Sequence, residues 1–548
     1  MCLKAELQIY IFYLKQKNLR IEFFRRKMLI ANAKRRNFVI LSAYQFYEFI
    51  PFDCTMKKRV LLTGATGTMG LAGLQQFLQR LDRFDVTVLV RPGKKNKRRL
   101  AAVTDRIRVV WGDLTCYNDV LEATRGADYV LHVGGMVSPA ADYFPNRTRH
   151  VNLLAAQNVA RAVLAQPNAD DIRVCYIGSV AQTSDRSEPL HWGRTGDPIC
   201  ISVYDHYAIS KTLAERAIVE SGIKHWVCLR QSGILYSNIL KKHDPIMFHV
   251  PLRGVLEWTT VEDSGRMLAN LCEADVDEAF WNHFYNISSG PQYRLSNYEF
   301  VCKLLRAIHC PPPEKIFNPE WFVLRNFHGQ WYLDSNKLEQ FLHFRSNIPV
   351  DEYFKHISKQ LSWPFKLTTL VPPFIIKSFM WTLANKRKWG TQWWIKHGDQ
   401  QRINAYYGSI ERWRNIPDWE HQDLSHPSEI PLVHIDHGYD ESKPRTEWTI
   451  DDMQQAAAFR GGKCLSTTMQ KGDYSTALVW ECQFGHHFKA SPVLILEGGH
   501  WCPECLPTPW NYDEIAKKNP FFAQIWIPQH GTDEHNYYGE EIFDGWEK

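Results

Sequence analysis

Val60 to Gly70 reads VLLTGATGTMG, an apolar strand that runs into a turn carrying Gly64, Gly67 and Gly70. That spacing meets three needs of a strand-to-helix turn around a phosphate: a tight bend, an approach free of side chains, and close packing of the next helix on the sheet. The following stretch, LAGLQQFLQRL, repeats apolar residues at helical spacing, so its first amides point at the bound anion. Ordinary turns also collect glycine, so a second, independent motif is needed.

That motif is YAISK, Tyr207 to Lys211. On a helix, residues four apart share one face, and an ammonium beside a phenol favours the phenolate, so Tyr207 is expected to act as a general acid or base with a lowered pKa. Upstream, VCYIGSV at Val174 to Val180 predicts an apolar strand that delivers the Ser179 hydroxyl to the carboxyl edge of a parallel sheet, where ligands bind.

Over roughly Lys57 to Gln360 these residues resemble the extended branch of the short-chain dehydrogenase/reductase superfamily, the NAD-dependent epimerase/dehydratase family. That branch includes nucleotide-sugar epimerases, hydroxysteroid dehydrogenases and flavonoid-type reductases. TGATGTMG is similar to the family's cofactor loop and implies contacts from Gly64, Thr66, Gly67, Thr68, Met69 and Gly70. GDLT at Gly112 to Thr115 resembles the adenine-side turn, which implies Asp113 and Leu114. VLHVGG at Val130 to Gly135 resembles the strand beside the nicotinamide ribose, which implies Val133 and Gly134. HVNLLAAQNV brings Asn152 as a supporting residue, while LRQSGILY and TTVED at Thr259 to Asp263 resemble the nicotinamide-side segment and the substrate-side strand end. The resemblance implies a Rossmann-type doubly wound parallel sheet with a smaller substrate-binding subdomain. It makes Tyr207 the proton donor or acceptor, Lys211 its partner and a ribose ligand, and Ser179 the holder of the substrate oxygen.

The cofactor can be read further from VTVLVRPGKK, the end of the second strand. NAD sites present an acid there, whereas an arginine accommodates a 2′-phosphate, so Arg91 favours NADP, with NAD the alternative. A charge run such as KKNKRR, Lys94 to Arg99, is by default a solvated loop. The acidic pair that the dehydratase subgroup carries after its strand hydroxyl is replaced by Val180 and Ala181, which disfavours dehydration. No arginine cluster to clamp a diphosphate stands between Ser237 and Cys310, so a less charged alcohol or ketone is expected, sterol-like or sugar-derived.

The 548 residues exceed one core, and 45% hydrophobic content supplies ample material to bury. Residues 1–55 carry ten Lys/Arg against four Asp/Glu, which equals the whole net charge of +6. They hold no apolar run of about 20 residues and no signal-peptide pattern, and they are read as an extension before a natural start at Met56. The competing reading is a basic membrane-surface anchor. Residues 56–360 are expected to form the NAD(P) domain, and 361–445 a helical segment and connector, with an apolar helix interrupted at Pro372 and Pro373 that packs on the catalytic domain. The chain has thirteen cysteines, an odd number, and those of the Rossmann region, Cys116, Cys175, Cys200, Cys228 and Cys272, are scattered singly, which favours a reducing, cytoplasmic compartment.

Residues 446–548 are expected to form a zinc-stabilised α+β module. Cys482 and His486, then Cys502 and Cys505 in GHWCPEC, space four ligands as a closed structural zinc site requires. The pattern resembles bacterial treble-clef zinc-ribbon modules; His487 and His500 are alternative ligands, and Cys464 is an additional thiol. This segment has seven Lys/Arg against fifteen Asp/Glu, a net of −8, which repels nucleic acid.

Taken together, an NAD(P)-dependent oxidoreductase acting on a small molecule by Ser179, Tyr207 and Lys211 is expected, without a stable membrane span and with a homodimer left open. A nucleotide-sugar epimerase is the alternative within the class. Outside it stands an interaction protein whose Rossmann unit senses nucleotides.

Overall fold

The computed structural model describes residues 56–539 apart from 184, 242, 274–275, 362–366 and 506–510, so the expectations for residues 1–55 lie outside the described part. Lys57–Lys548 forms one compact unit. At its centre are seven parallel strands, β1 (Lys58–Thr63), β2 (Phe84–Val90), β3 (Arg108–Trp111), β4 (Tyr129–His132), β5 (Arg173–Ser179), β6 (His225–Gln231) and β7 (His283–Ile287). Their order across the sheet is β7-β6-β5-β4-β1-β2-β3. The direction of winding reverses between β1 and β4, the place where open α/β sheets leave a crevice for ligands. The register sets Thr63 beside Leu89, His132 beside Tyr176 and Ser179 beside Gln231, so these residues share one edge.

Helices cover both faces. One core joins β1, β2 and β4 to α1 (Thr68–Leu78) and to the helix Val261–Glu273 through Phe77, Val88, Leu268 and their neighbours. On the opposite face, α2 (Pro145–Leu164) and α3 (His206–Val219) pack on the sheet through Val159, Ala214 and Ile218. The same continuous core contains Trp448, Trp480, Leu494, Trp501 and Phe522 of the C-terminal segment. That segment carries a three-stranded antiparallel sheet, β8 (Lys463–Cys464), β9 (Leu478–Glu481) and β10 (His487–Ala490). The two parts thus bury apolar surface against each other.

KKNKRR lies in the helix Lys94–Leu100 and not in a loop, anchored by the fully buried Leu100. The apolar helix of residues 361–445 begins only at Pro373 and runs to Ala384, because Pro372 and Pro373 prevent its extension toward the N-terminus. Among the described residues no helix is long and apolar enough to cross a membrane.

Candidate active site and metal cluster

The β1–α1 turn has the backbone that its glycines require. Gly64 has φ +70°, and a Cβ there would lie 2.8 Å from the Gly134 backbone. A Cβ on Gly70 would lie 2.2 Å from the Gly64 carbonyl oxygen, so α1 approaches the turn more closely than any side chain permits. Gly67 caps α1, no side chain bonds to that helix end, and no acid stands in its first turn, which leaves the amides and the positive end of the dipole to an anion. Thr66 and Thr68 flank Gly67, while Met69 is buried under the turn.

Thr63 Oγ1 accepts hydrogen bonds from Val133 N at 3.1 Å and Gly134 N at 3.0 Å, tying the end of β1 to the loop after β4. Leu114 reaches the same place, its Cδ1 standing 2.7 Å from where a Gly134 Cβ would be. Asp113 is partly spent on its own turn, accepting from Thr115 N and Oγ1 at 2.9 and 2.8 Å. Arg91 is exposed directly after β2, its carbonyl held by Asn96 Nδ2 at 2.9 Å. Arg99 donates to the Thr66 carbonyl, which brings the basic helix against the glycine turn.

The second group gathers at the β5 edge. Ser179 N donates to Gln182 Oε1 at 2.8 Å, and Ser179 Oγ accepts from Ala181 N at 3.2 Å, which fixes the hydroxyl. Asp205 caps α3 by accepting from Ala208 N at 2.8 Å and so sets the helix start that carries Tyr207. Burial pushes the Tyr207 phenol up to about 12, opposed by its hydrogen bond with Ser179 and assisted by the Asp205 charge. A lowered pKa was the expectation from Lys211, but the Lys211 ammonium turns toward the sheet. It donates to the Ile177 carbonyl at 2.5 Å and lies 4.8 Å above the Tyr176 ring. Burial draws Lys211 itself down to about 8 against the opposing charge of Glu215. Asn152 accepts from Met136 N at 2.7 Å and donates to Ser210 Oγ at 2.8 Å, so it braces the β4 loop against α3.

Sequence reasoning missed three groups here. His132, buried at the end of β4, is pushed down to about 3 by burial and by the Lys211 charge, and its Nδ1 stands 3.1 Å from Thr63 Oγ1. Glu215 lies one helical turn beyond Lys211 and takes Arg230 Nη2 at 2.7 Å and His500 Nε2 at 2.9 Å, all three deeply buried. Spacing on α3 placed Glu215 beside Lys211, but its partners come from β6 and the C-terminal segment. The third is a cleft next to the start of α3, lined by Asp142, Asp205 and His206 and, from residues 361–445, by Trp389, Arg402 and Tyr406. The segment expected to be a connector therefore furnishes one wall. The Ser202 hydroxyl and the Trp389 indole N–H, both in the lining, have no hydrogen-bond partner among the described residues.

The four metal-ligand candidates converge. Ligand atoms of Cys482, His486, Cys502 and Cys505 all lie within 4.8 Å of one another. Cys482 Sγ is 3.8 Å from Cys505 Sγ, and His486 Nδ1 is 3.3 Å from Cys505 Sγ and 3.6 Å from Cys502 Sγ. A tetrahedral zinc with Zn–S of about 2.3 Å and Zn–N of about 2.0 Å has edges of roughly 3.5 to 3.8 Å, so the cluster has the size the ion demands. The other expected ligands are engaged elsewhere: His487 Nε2 meets Glu481 at 3.0 Å, and His500 meets Glu215. A further group, Asp513, His530 and Glu534, is already satisfied by Trp526, Asn536 and Arg325.

Residues 60–232 match the model of the NAD dependent epimerase/dehydratase family. The chain is similar to the UDP-glucose 4-epimerase of Rickettsia bellii (strain RML369-C), 34% identical over 110 residues, 19% of this chain and 32% of that enzyme. It is also similar to the UDP-glucose 4-epimerase of Rickettsia akari (strain Hartford), 31% identical over 112 residues, 20% of this chain and 33% of that enzyme. It thus aligns with about a third of the length of these curated relatives. Among solved structures, DesIV, a dTDP-glucose 4,6-dehydratase from Streptomyces venezuelae with NAD and TYD bound, has 19% identity, a TM-score of 0.44 and coverage of 55% of this chain and 96% of that chain. The UDP-glucose 4-epimerase from Bifidobacterium longum in complex with NAD+ and UDP has 16% identity, a TM-score of 0.44 and coverage of 56% and 100%.

Proposed function

We propose that the chain is an NAD(P)-dependent oxidoreductase that transfers hydride at a secondary alcohol or ketone carbon of a small molecule. The observation that carries this reading is the glycine turn after β1 together with the group at the end of β5, where Tyr207 bonds Ser179 and Lys211 bonds the Ile177 carbonyl. The nicotinamide, when bound, supplies the hydride acceptor or donor. Tyr207, kept protonated by burial, gives its proton to the carbonyl oxygen as the ketone is reduced, and the phenolate that this leaves takes the hydroxyl proton in the reverse direction. Ser179 donates to the substrate oxygen and so orients the carbinol carbon. Lys211, which donates to the Ile177 carbonyl, would hold a ribose hydroxyl of the bound cofactor with its remaining N–H groups. Arg91, with the basic helix docked on Thr66, fits a 2′-phosphate, and NADP is the proposed cofactor. Asp113, Leu114, Val133 and Gly134 would line the remainder of that site. Cys482, His486, Cys502 and Cys505 would hold a structural zinc that leaves no position open for chemistry.

The family match and the epimerase relatives favour a second reading, an NAD-dependent nucleotide-sugar epimerase built on the same residues. An epimerase restores its cofactor in every cycle, whereas an oxidoreductase consumes it stoichiometrically. A substrate panel followed by both nicotinamide absorbance and product analysis separates them. Inversion of a sugar carbon without net cofactor change would overturn the first reading.

A further inference from the structure

Large apolar side chains exposed singly are ordinary, but a contiguous group marks a contact surface. Of the sixteen large hydrophobic side chains exposed among the described residues, five fall between 370 and 381: Leu370 at 76%, Phe374 at 70%, Ile375 at 48%, Phe379 at 47% and Trp381 at 45%. Four of them belong to the helix Pro373–Ala384. Its inner side is fixed, with Met380 and Ala384 buried against Phe248, Phe317 and Trp321. The outer side therefore stays apolar on an anchored helix.

The helix lies in a basic stretch of the chain, within which Lys386 is shared with Asp244 at 4.0 Å. From Tyr353 to Gly398 the chain has eight Lys and Arg, Lys355 to Lys396, and no Asp or Glu. Arg387 and Lys388 are exposed just beyond the helix end. Aromatic and aliphatic side chains beside a one-signed basic segment suit the interface of an anionic bilayer, where the rings sit at headgroup depth and the cations meet lipid phosphates. At 12 residues the helix is about 18 Å long, against a hydrocarbon thickness of about 30 Å, so it lies on a membrane and does not cross it.

We propose that the helix Pro373–Ala384 seats this protein on an anionic membrane surface. The seat adjoins the cleft: Lys386 Nζ donates to the Tyr143 hydroxyl at 2.8 Å, and the rings of Tyr143 and Trp389, both in the cleft lining, meet edge to face at 5.0 Å. A membrane-dissolved alcohol or ketone would then reach the cleft from the lipid side. That route rests on the oxidoreductase reading; the docking does not.

The test is flotation of the full chain with vesicles of phosphatidylcholine alone or with about one third phosphatidylglycerol. Wild-type protein should float with the anionic vesicles and at least tenfold less with the neutral ones. The double variant Phe374→Glu/Phe379→Glu should lose at least tenfold of the anionic binding while keeping its melting temperature and its thermal protection by NADPH or NADH. Arg387→Glu/Lys388→Glu should weaken binding and remove its salt sensitivity. Residues 1–55 are present in every sample, so a loss on substitution belongs to the helix. Wild-type protein that stays unbound overturns the proposal, as does a double variant that floats like wild type. A variant that turns a dimer into a monomer without changing vesicle binding would assign the face to self-association. Lost cofactor protection with intact flotation would count against the oxidoreductase reading alone.

Discussion

The two sides of the ligand edge are completed by different means. On the β1 side, the turn closes on itself: Gly70 presses on the Gly64 carbonyl, and Thr63 grips Val133 and Gly134 about seventy residues on. On the β5 side, α3 is held by residues nearly three hundred positions away. Arg216 donates to Trp501 O at 3.2 Å and Lys489 O at 2.8 Å, Arg230 donates to Gly498 O at 2.6 Å, and His500 meets Glu215. On the proposed reading, cofactor binding would depend on a local loop, whereas α3, which carries Tyr207 and Lys211, would depend on the C-terminal segment remaining folded.

The largest effect is expected from the metal. A structural zinc contributes about 10–16 kcal/mol of folding free energy in small zinc modules, so Cys502→Ser should unfold the segment that carries β8 to β10. Because that segment shares a core with α3, turnover should fall with it while nucleotide binding at the glycine turn persists. Metal analysis should find one zinc per chain, and chelation should reproduce the variant. A folded, zinc-free wild type, or full turnover with the segment melted, would break the contrast.

Tyr207→Phe keeps the ring and removes the proton relay. Turnover should drop by about 10²- to 10⁴-fold, with cofactor affinity little changed. Wild-type-like turnover would remove Tyr207 from the chemistry and leave the β5 edge without its acid or base.

Glu215→Gln should cost about 3–5 kcal/mol of stability, since it leaves Arg230 buried without its carboxylate. Arg230 and His500 pull the carboxyl down to about 2 in spite of burial. The unfolded chain, with its ordinary carboxyl near 4.3, binds more protons between these two values, so the stabilisation is complete above that range and is lost as pH falls through it. Melting followed from pH 6 to pH 2 should show this acid-side loss in wild type and a smaller one in the variant. Equal slopes would mean that Glu215 is not the group that couples the two parts.

The same division explains what could be read from the chain. Strand, turn and helix around Gly64 to Gly70 were legible because their constraints are sterically local, and Cys482 to Cys505 because metal geometry restricts spacing. Tyr207 and Lys211 were legible as a helical pair, but the direction of the Lys211 ammonium depends on the Ile177 carbonyl and the Tyr176 ring, which no spacing reveals. The tryptophans of residues 361–445 showed no periodicity because Trp389 and Trp394 serve a cleft and not a regular face.

The smallest and sharpest test concerns Arg91. It stands at the end of β2, next to β1 in the sheet, exposed to solvent, at the position where NAD sites offer an acid. A charged hydrogen bond to a 2′-phosphate is worth about 1.5–3 kcal/mol, roughly tenfold to a hundredfold in affinity. Arg91→Asp should therefore weaken NADPH by that factor and leave NADH nearly unchanged or improved, because the new carboxylate can accept from the ribose hydroxyls. Fold stability should not move, since Arg91 is a surface side chain. Titration of both nucleotides into both proteins measures this directly. Equal losses would show that Arg91 does not meet the phosphate. The basic helix on Thr66 would then be the next group to examine, with Arg99→Ala as its variant, because its guanidinium is already fixed to the carbonyl of the glycine turn.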